Sequence, residues 1–420
     1  MLSIHRVFIT LVMLLACTVF AKDVLVFVDE LDSGNADLFV NELKNNGLDV
    51  IIQKTGSTEK KELFDINEKN IFDNLVIFPT KSKKLASNID HDSLLHFSDN
   101  GGNIIVISND EVSQLDSTVF LNQLGIYPSP KGYKYIDHHA EDFVFEGIDF
   151  LNDYIISAER KEKISFNNAS IALVSNSEYL IPLLQTTRTS VTKLGEQIWH
   201  AGNQGYFAVS FQGLNNARVS WIGSSDVLND VNLAQDFIQW TFQLKGVIKA
   251  TRFNHKRVDA NGVEIPFVDE DDYYKVKDFS SFEIGLSEYD SKTDSWVPFV
   301  AKDAVQFEFI MLDPYQRLNL ELTDKSENES IYSTIFQVPD QHGMFTFSVD
   351  YKRPGLSYIS EQQVVPVRHL ANDEYARSWE IPNSKVYIAG YAIVVVSWII
   401  FVFVFVFSQN KNIDSGKKKV

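Results

Sequence analysis

Cysteine is almost missing from this sequence: among 420 residues only Cys17 is one. A disulfide framework, a cysteine-rich zinc site and an iron–sulfur cluster are thereby excluded. Positive charge is scarce as well, with 38 Lys and Arg against 56 Asp and Glu and a formal net charge of −18. Phosphate binding needs a cationic face, so no nucleic-acid partner is expected. The short motifs of common catalysts are absent too: there is no G-x-S-x-G elbow, Walker A sequence, G-x-G-x-x-G or H-E-x-x-H. No internal repeat or low-complexity block interrupts the chain. What is present, 45% hydrophobic and 22% charged residues, is the composition of a folded protein. The length allows about two or three domains.

Two long apolar runs frame the chain. Met1 to Arg6 is short and basic, and Val7 to Phe20 is apolar. With Ala21 at the cut and Val19 two before it, this predicts a signal peptide over 1–21 and a mature start near Lys22. An uncleaved anchor is the alternative, but the run is short for a span. Cys17 lies inside the segment, so the mature chain would enter an oxidising compartment without cysteine. The second run, Val386 to Phe407, has 22 residues and no charge. As a helix it would be about 33 Å long, enough to cross the hydrocarbon core of a bilayer. Charge is absent over its whole length, which argues against a buried core helix. Tyr387 and Tyr391 suit one membrane interface. The tail 408–420 holds Lys411, Lys417, Lys418 and Lys419 against Asp414. Positive flanks stay cytosolic, so a type I orientation follows, with an acidic body outside the cytosol and membrane lipid as one partner. Lys417 and Lys418 stand fourth and third from the end, the spacing of a dilysine retrieval signal; a basic stop-transfer flank is the plainer reading.

Between the runs, apolar strands alternate with helices. Strands are expected at Val24–Val28, Leu48–Ile52, Asn74–Phe78, Asn103–Ile107, Tyr206–Phe211 and Arg218–Ile222. Helices are expected at Ser33–Asn46, Leu85–Ser98, Glu111–Leu124 and Val227–Phe242, with an irregular stretch near 126–165. That alternation predicts an α/β doubly wound domain over 22–245. From Val247 the pattern changes to alternating apolar and polar residues between turns, as in Val305 to Phe309 and Phe345 to Val349. This predicts an antiparallel β-sandwich over 246–370. A connector (371–385), the transmembrane helix (386–407) and the cytosolic tail (408–420) complete the division.

Catalysis on such a sheet belongs at the carboxyl ends of its strands. Ser108 and Asp110 stand there, as do Ser224, Ser225 and Asp226, but Ser-Ser-Asp before an apolar helix is more simply an N-cap. Asp137, His138, His139, Glu141 and Asp142 crowd one loop, and Asp90/Asp92 and Asp269/Asp271 have the D-x-D spacing of metal-bound sugar phosphates. Each is more simply a solvated acidic turn than a metal site, and no cofactor or catalytic residue is expected. Asn168-Ala-Ser170 and Asn328-Glu-Ser330 are sequons open to N-glycosylation.

Several stretches carry a resemblance: Phe78-Pro-Thr-Lys81, Leu124-Gly-Ile-Tyr-Pro-Ser-Pro-Lys-Gly132, Leu214-Asn-Asn-Ala-Arg218, Trp221-Ile-Gly-Ser-Ser-Asp226, His342-Gly-Met-Phe-Thr-Phe347 and, above all, Arg368-His-Leu-Ala-Asn-Asp-Glu-Tyr-Ala-Arg-Ser-Trp-Glu-Ile381. In order and over nearly the whole chain, the sequence resembles the non-catalytic, single-span 48-kDa-type subunit of eukaryotic oligosaccharyltransferase, the wheat-germ-agglutinin-binding-protein type of yeasts. The resemblance implies an endoplasmic reticulum membrane protein in a complex that transfers oligosaccharide from dolichyl diphosphate to asparagine. It implies partner subunits, including a multi-span catalytic one, and a glutamine-amidotransferase-like fold without the cysteine nucleophile. Ala389, Gly390 and Ala392 would let the span pack closely on other helices. Arg377 and Trp379 would make a polar and aromatic contact near the membrane. The alternative is a lumenal module that itself binds the dolichol-linked donor.

Overall fold

The structure, a computed structural model, describes residues 23–414 except 30–32, 56–60, 83, 87, 112–113, 139–143, 146–149, 158–163, 166–167, 227–229, 267–273, 372–373 and 375–382. Its first half is built on a nine-stranded sheet. Strands β1 (Asp23–Val28), β2 (Asp49–Lys54), β3 (Asn74–Ile77) and β4 (Asn103–Ile107) come early in the chain. They are followed by β5 (Ile126–Pro128), β6 (Lys134–Asp137), β7 (Val144–Phe145), β8 (Ile164–Ser165) and β9 (Ala172–Val174), then β10 (Leu180–Gln185), β11 (Ser190–Leu194), β12 (Gln197–Ala201), β13 (Tyr206–Gln212) and β14 (Arg218–Ile222). The order across the main sheet is β2-β1-β3-β4-β14-β13-β9-β5, with β10 also on β13. From β2 to β14 every pairing is parallel, and β13 turns the sheet antiparallel.

Continuous β-branched runs make this parallel block because both faces are covered. Val24, Val26, Val76, Ile105 and Ile222 pack on one side with helices α1 (Ser33–Asn45) and α4 (Val231–Thr241). Leu25, Phe27, Ile104, Val106 and Trp221 pack on the other with α2 (His91–Asp99) and α3 (Leu115–Leu124). Three helices begin later than their apolar spacing suggests. Leu85 and Ile89 are buried, but in a loop closed by an Ala86–Ile89 bridge; α2 starts only where the Asp90 carboxylate accepts from Ser93 N at 3.0 Å. Likewise α3 begins at Leu115 rather than Glu111, and α4 at Val231 after an Asp230 cap. The expected irregular stretch holds β5 through β8, and β6 joins β11 and β12 in a separate three-stranded sheet.

The second half comprises β15 (Ile248–Val258), β16 (Tyr274–Lys275), β17 (Phe279–Asp290), β18 (Ser295–Pro298), β19 (Gln306–Ile310), β20 (Pro314–Asn319), β21 (Glu321–Lys325), β22 (Ser330–Gln337), β23 (Gly343–Tyr351) and β24 (Ile359–Arg368). Two five-stranded sheets enclose a single core. Phenylalanine fills it: Phe282 stacks on Phe307 at 4.4 Å and Phe309 on Phe345 at 4.5 Å, distances that suit offset aromatic pairs. All pairings are antiparallel except the short β16–β24 pair. Helix α5 (Ser384–Asp414) follows, and within it Ser384–Ser408 is long and apolar enough to cross a membrane.

Candidate functional site

The crest of the parallel block, where catalysis would be sought, is filled. Asp29 Oδ2 accepts from Lys81 N at 3.0 Å, and Thr80 Oγ1 accepts from Gln114 Nε2 at 2.9 Å. Ser108 Oγ accepts from Trp221 Nε1 at 3.0 Å, and Ser224 Oγ from Asp226 N at 3.2 Å. The loop at 168–171 lies across the strand ends. Asp110 N donates to Asn168 O at 3.1 Å, and Ser170 N to Gly223 O at 2.7 Å. Only glycine fits at 223, because a Cβ there would stand 2.0 Å from Ser170 O. Asp110 is 4% exposed and its Oδ1 has no partner. Burial pushes its carboxyl above the ordinary range, with Lys134 opposing. No histidine or cysteine stands among these residues, and a hydroxyl without a neighbouring base is a weak nucleophile. Among the described residues the crest therefore shows packing and no catalytic pair. The expected Ser-Ser-Asp cap is corrected here: Ser224 holds a local turn, while Asp230 caps α4 by accepting from Asn232 and Leu233 N.

The other sequence candidates disperse. Asp137 accepts from the Thr187 and Thr189 hydroxyls across the β6–β11 pair, and His138 beside it is exposed. His139, Glu141, Asp142, Asp269 and Asp271 lie outside the described residues. Among the described residues no group of three or more His, Cys, Asp or Glu is placed to hold a metal ion. Asp90 is spent as a helix cap, and its Ser93 hydrogen bonds pull its pKa below the usual value. Asn168 and Asn328 both face solvent, Asn168 with a left-handed φ of 47°, while Ser170 and Ser330 of the same sequons are buried. Gly390 sits in α5 with nothing within 4 Å of where a Cβ would be. Arg377, Trp379, Lys417 and Lys418 lie outside the described residues.

Two arrangements that sequence reading passed over organise the molecule. The first is the seam between its halves. Arg218, at the start of β14, is fully buried, and its guanidinium donates to Trp240 O (2.7 Å), Lys245 O (2.8 Å) and Gly246 O (2.7 Å) while lying 4.7 Å from the Trp240 ring. Burial draws its pKa down to about 9. Around it, the 354–358 segment of the second half is hydrogen-bonded to the first. Trp240 Nε1 donates to Gly355 O at 2.8 Å, and Gln212 Nε2 to Leu356 O at 2.8 Å. Asn216 accepts from Tyr358 N and donates to Tyr358 O. The second arrangement is a clamp beyond β24. Glu374 receives both Nη atoms of Arg368 at 2.7 and 2.8 Å, the Lys275 ammonium and Ala371 N. Arg368, then Lys275, hold its carboxyl far below the usual range. The connector is thus fastened to the sandwich ten residues before α5. The one prior signal was the Arg368–Ile381 stretch itself.

Comparison with known proteins matches both halves. The OST48 N-terminal domain family covers residues 15–244, and the OST48 middle domain family covers 256–409. The WBP1 subunit of dolichyl-diphosphooligosaccharide–protein glycosyltransferase from Saccharomyces cerevisiae is 39% identical over 393 residues, spanning 90% of this chain and 89% of that protein. The wbp1 subunit of Schizosaccharomyces pombe is 30% identical over 435 residues, 95% of each. The 48 kDa subunit of Arabidopsis thaliana is 25% identical, covering 92% of this chain and 93% of that one. With a closed crest on the first domain, a sandwich behind it and both family profiles in sequence, this chain belongs to the OST48 family.

Proposed function

We propose that this chain is a non-catalytic structural subunit of the oligosaccharyltransferase complex, which N-glycosylates nascent proteins. The observation that carries the reading is the match of both OST48 domains along a chain whose strand-end hydroxyls are committed to internal hydrogen bonds. The chain is an accessory subunit of a glycosyltransferase, in the endoplasmic reticulum membrane, with one span and its bulk in the lumen.

Finer assignments belong to the same proposal. The parallel order β2-β1-β3-β4-β14 with helices on both faces supports a doubly wound, glutamine-amidotransferase-like first domain. The domain limits 22–245 and 246–370 follow the change of strand pattern. The multi-span catalytic subunit is the proposed neighbour, reached through Gly390 in the span and Arg377 and Trp379 beside it. Lys417 and Lys418 serve as the retrieval signal, and Asn168 and Asn328 are positions for glycan.

Gentle-detergent purification of the tagged chain from microsomes, with partners identified by mass spectrometry, tests the proposal. A many-span transferase and small membrane subunits are expected in fixed ratio, with the Arg377→Ala/Trp379→Ala variant recovering less of them. Recovery of the chain alone would overturn it.

A further inference from the structure

The edge of a sheet leaves main-chain N–H and C=O groups unpaired, and natural proteins blunt it with brevity, proline, charge or a bulge. The described edges follow that rule, with one exception. β5, β6, β7, β8, β16 and β18 have two to four residues each. β10 contains Pro182, and β20 opens on Pro314. β15 carries Lys249, Arg252, Lys256 and Arg257, and β21 carries Glu321, Asp324 and Lys325. β12 is bulged against β11.

β2 is protected in none of these ways. Its six residues, Asp49–Lys54, run in unbroken parallel register with β1, and no other described strand pairs with it. It has no proline, and Val50-Ile51-Ile52-Gln53 at its centre is uncharged. Successive side chains point to opposite faces. Val50 and Ile52 therefore share the α1 side, where Val50 packs on the core, and Ile51 lies on the other. Ile52 is 50% exposed and Ile51 38%. Alternate main-chain groups of β2 bond to β1, and the rest face outward. A free main chain with apolar positions on both sides is what an added strand uses: backbone bonds hold it and side-chain positions select it.

The ends of β2 select the kind of strand. Asp49 stands beside Asp23 in the register with β1, and Lys54 beside Val28. Neither Asp49 nor Lys54 is in an ion pair among the described residues. A second copy of β2 would not answer these charges. Opposed residues on paired strands share a face, and a twofold axis through an edge-to-edge pairing keeps each face on itself. Only positions of the same parity then meet, so Asp49 never stands opposite Lys54. We propose that the β2 edge receives an extended strand of another subunit of the complex, apolar and uncharged through its centre, with a basic residue beside Asp49 and an acidic one beside Lys54. The inference rests on the subunit proposal and gives that assembly a contact separate from those at 377, 379 and 390.

The test is amide hydrogen exchange, read residue by residue over 49–54, in the complex purified through the tagged chain. All six amides should be slow. Ile52→Lys and Ile51→Lys each place a charge at an exposed position on one side of the edge. Either should speed exchange of the outward amides about tenfold or more, while Ile52→Val leaves them slow. The amides bonded to β1 should stay slow in every variant, which reports that the domain remains folded. A photoreactive side chain at position 52 should cross-link to one segment of one partner subunit. Fast alternate amides in a complex that retains its partners would overturn the added strand and leave the subunit proposal standing. Recovery of the chain alone would overturn both. Unchanged exchange in both Lys variants, or cross-links to a second copy or to a segment charged at its centre, would overturn the strand assignment.

Discussion

Replacing Arg218 by Met keeps most of its length and removes its charge, and the bonds around it set the expected cost. Three carbonyls accept from the guanidinium. Trp240 O also accepts from Gln243 N, and Gly246 O from Ser357 N, so neither is stranded. Lys245 O alone would be left without a donor among the described bonds. A stranded buried carbonyl costs about 1–3 kcal/mol, and each charge-assisted bond contributes about 1.5–3 kcal/mol. Against that stands the desolvation of a buried cation that pairs with no carboxylate among the described residues, several kcal/mol recovered when the charge is gone. The balance is a loss of about 2–4 kcal/mol for Arg218→Met. Arg218→Ala, which also opens a cavity at the seam, should lose more. The pH sign follows from the depressed pKa of about 9. Below it the guanidinium is charged in both folded and unfolded chain, so its desolvation cost is complete and constant across pH 6–8. Urea unfolding of the full chain in detergent, followed by the fluorescence of buried Trp221 and Trp240, measures the change. Proteolysis near 354–358 should rise in parallel. A midpoint unchanged from wild type, or a loss without new cleavage at the seam, refutes the reasoning.

Asp110→Asn should stabilise the chain by about 1 kcal/mol at pH 7, because a buried carboxylate with one unpartnered oxygen becomes neutral. Its folded pKa is raised, so the wild-type cost develops as pH climbs through that raised value; the gain should shrink toward pH 4, measured by thermal melts at both ends. Glu374→Gln should expose the connector beyond β24 to protease and reduce partner recovery. Because the folded carboxyl titrates far below its ordinary value, the clamp's contribution is complete above the unfolded pKa, and protection of the wild-type connector should be flat from pH 5 to 8. Loss of protection within that range would count against the clamp.

The parallel strands were legible because burial on both faces writes itself as an unbroken apolar run; Asn103–Ile107 is buried at every position. The sandwich was legible from alternation, as in Phe345, Phe347 and Val349. Helix starts were less so. Leu85 and Ile89 have helical spacing with α2 yet anchor a loop, and the chain turns helical only at the Asp90 cap. Strands β11 and β12 escaped because buried polar residues break their pattern: Thr192 and His200 are both inside; β10 carries Pro182, a residue that argues against a strand, and β9 is only three residues long. The seam was beyond reach for a different reason. Arg218 reads as a polar residue at a strand edge, and nothing local says that its acceptors lie at 240, 245 and 246.

The seam also has a consequence in time. Asn216 and Trp240 find their partners on residues that are 142 and 115 positions later in the chain. At ribosomal speeds of about 5–20 residues per second, those partners emerge on the order of ten seconds after the first domain is complete. Through that interval the surface around Trp240 stands open in the compartment where the chain is made. A nascent chain paused or cut before residue 355 would leave that face without the partners that close it in the full chain.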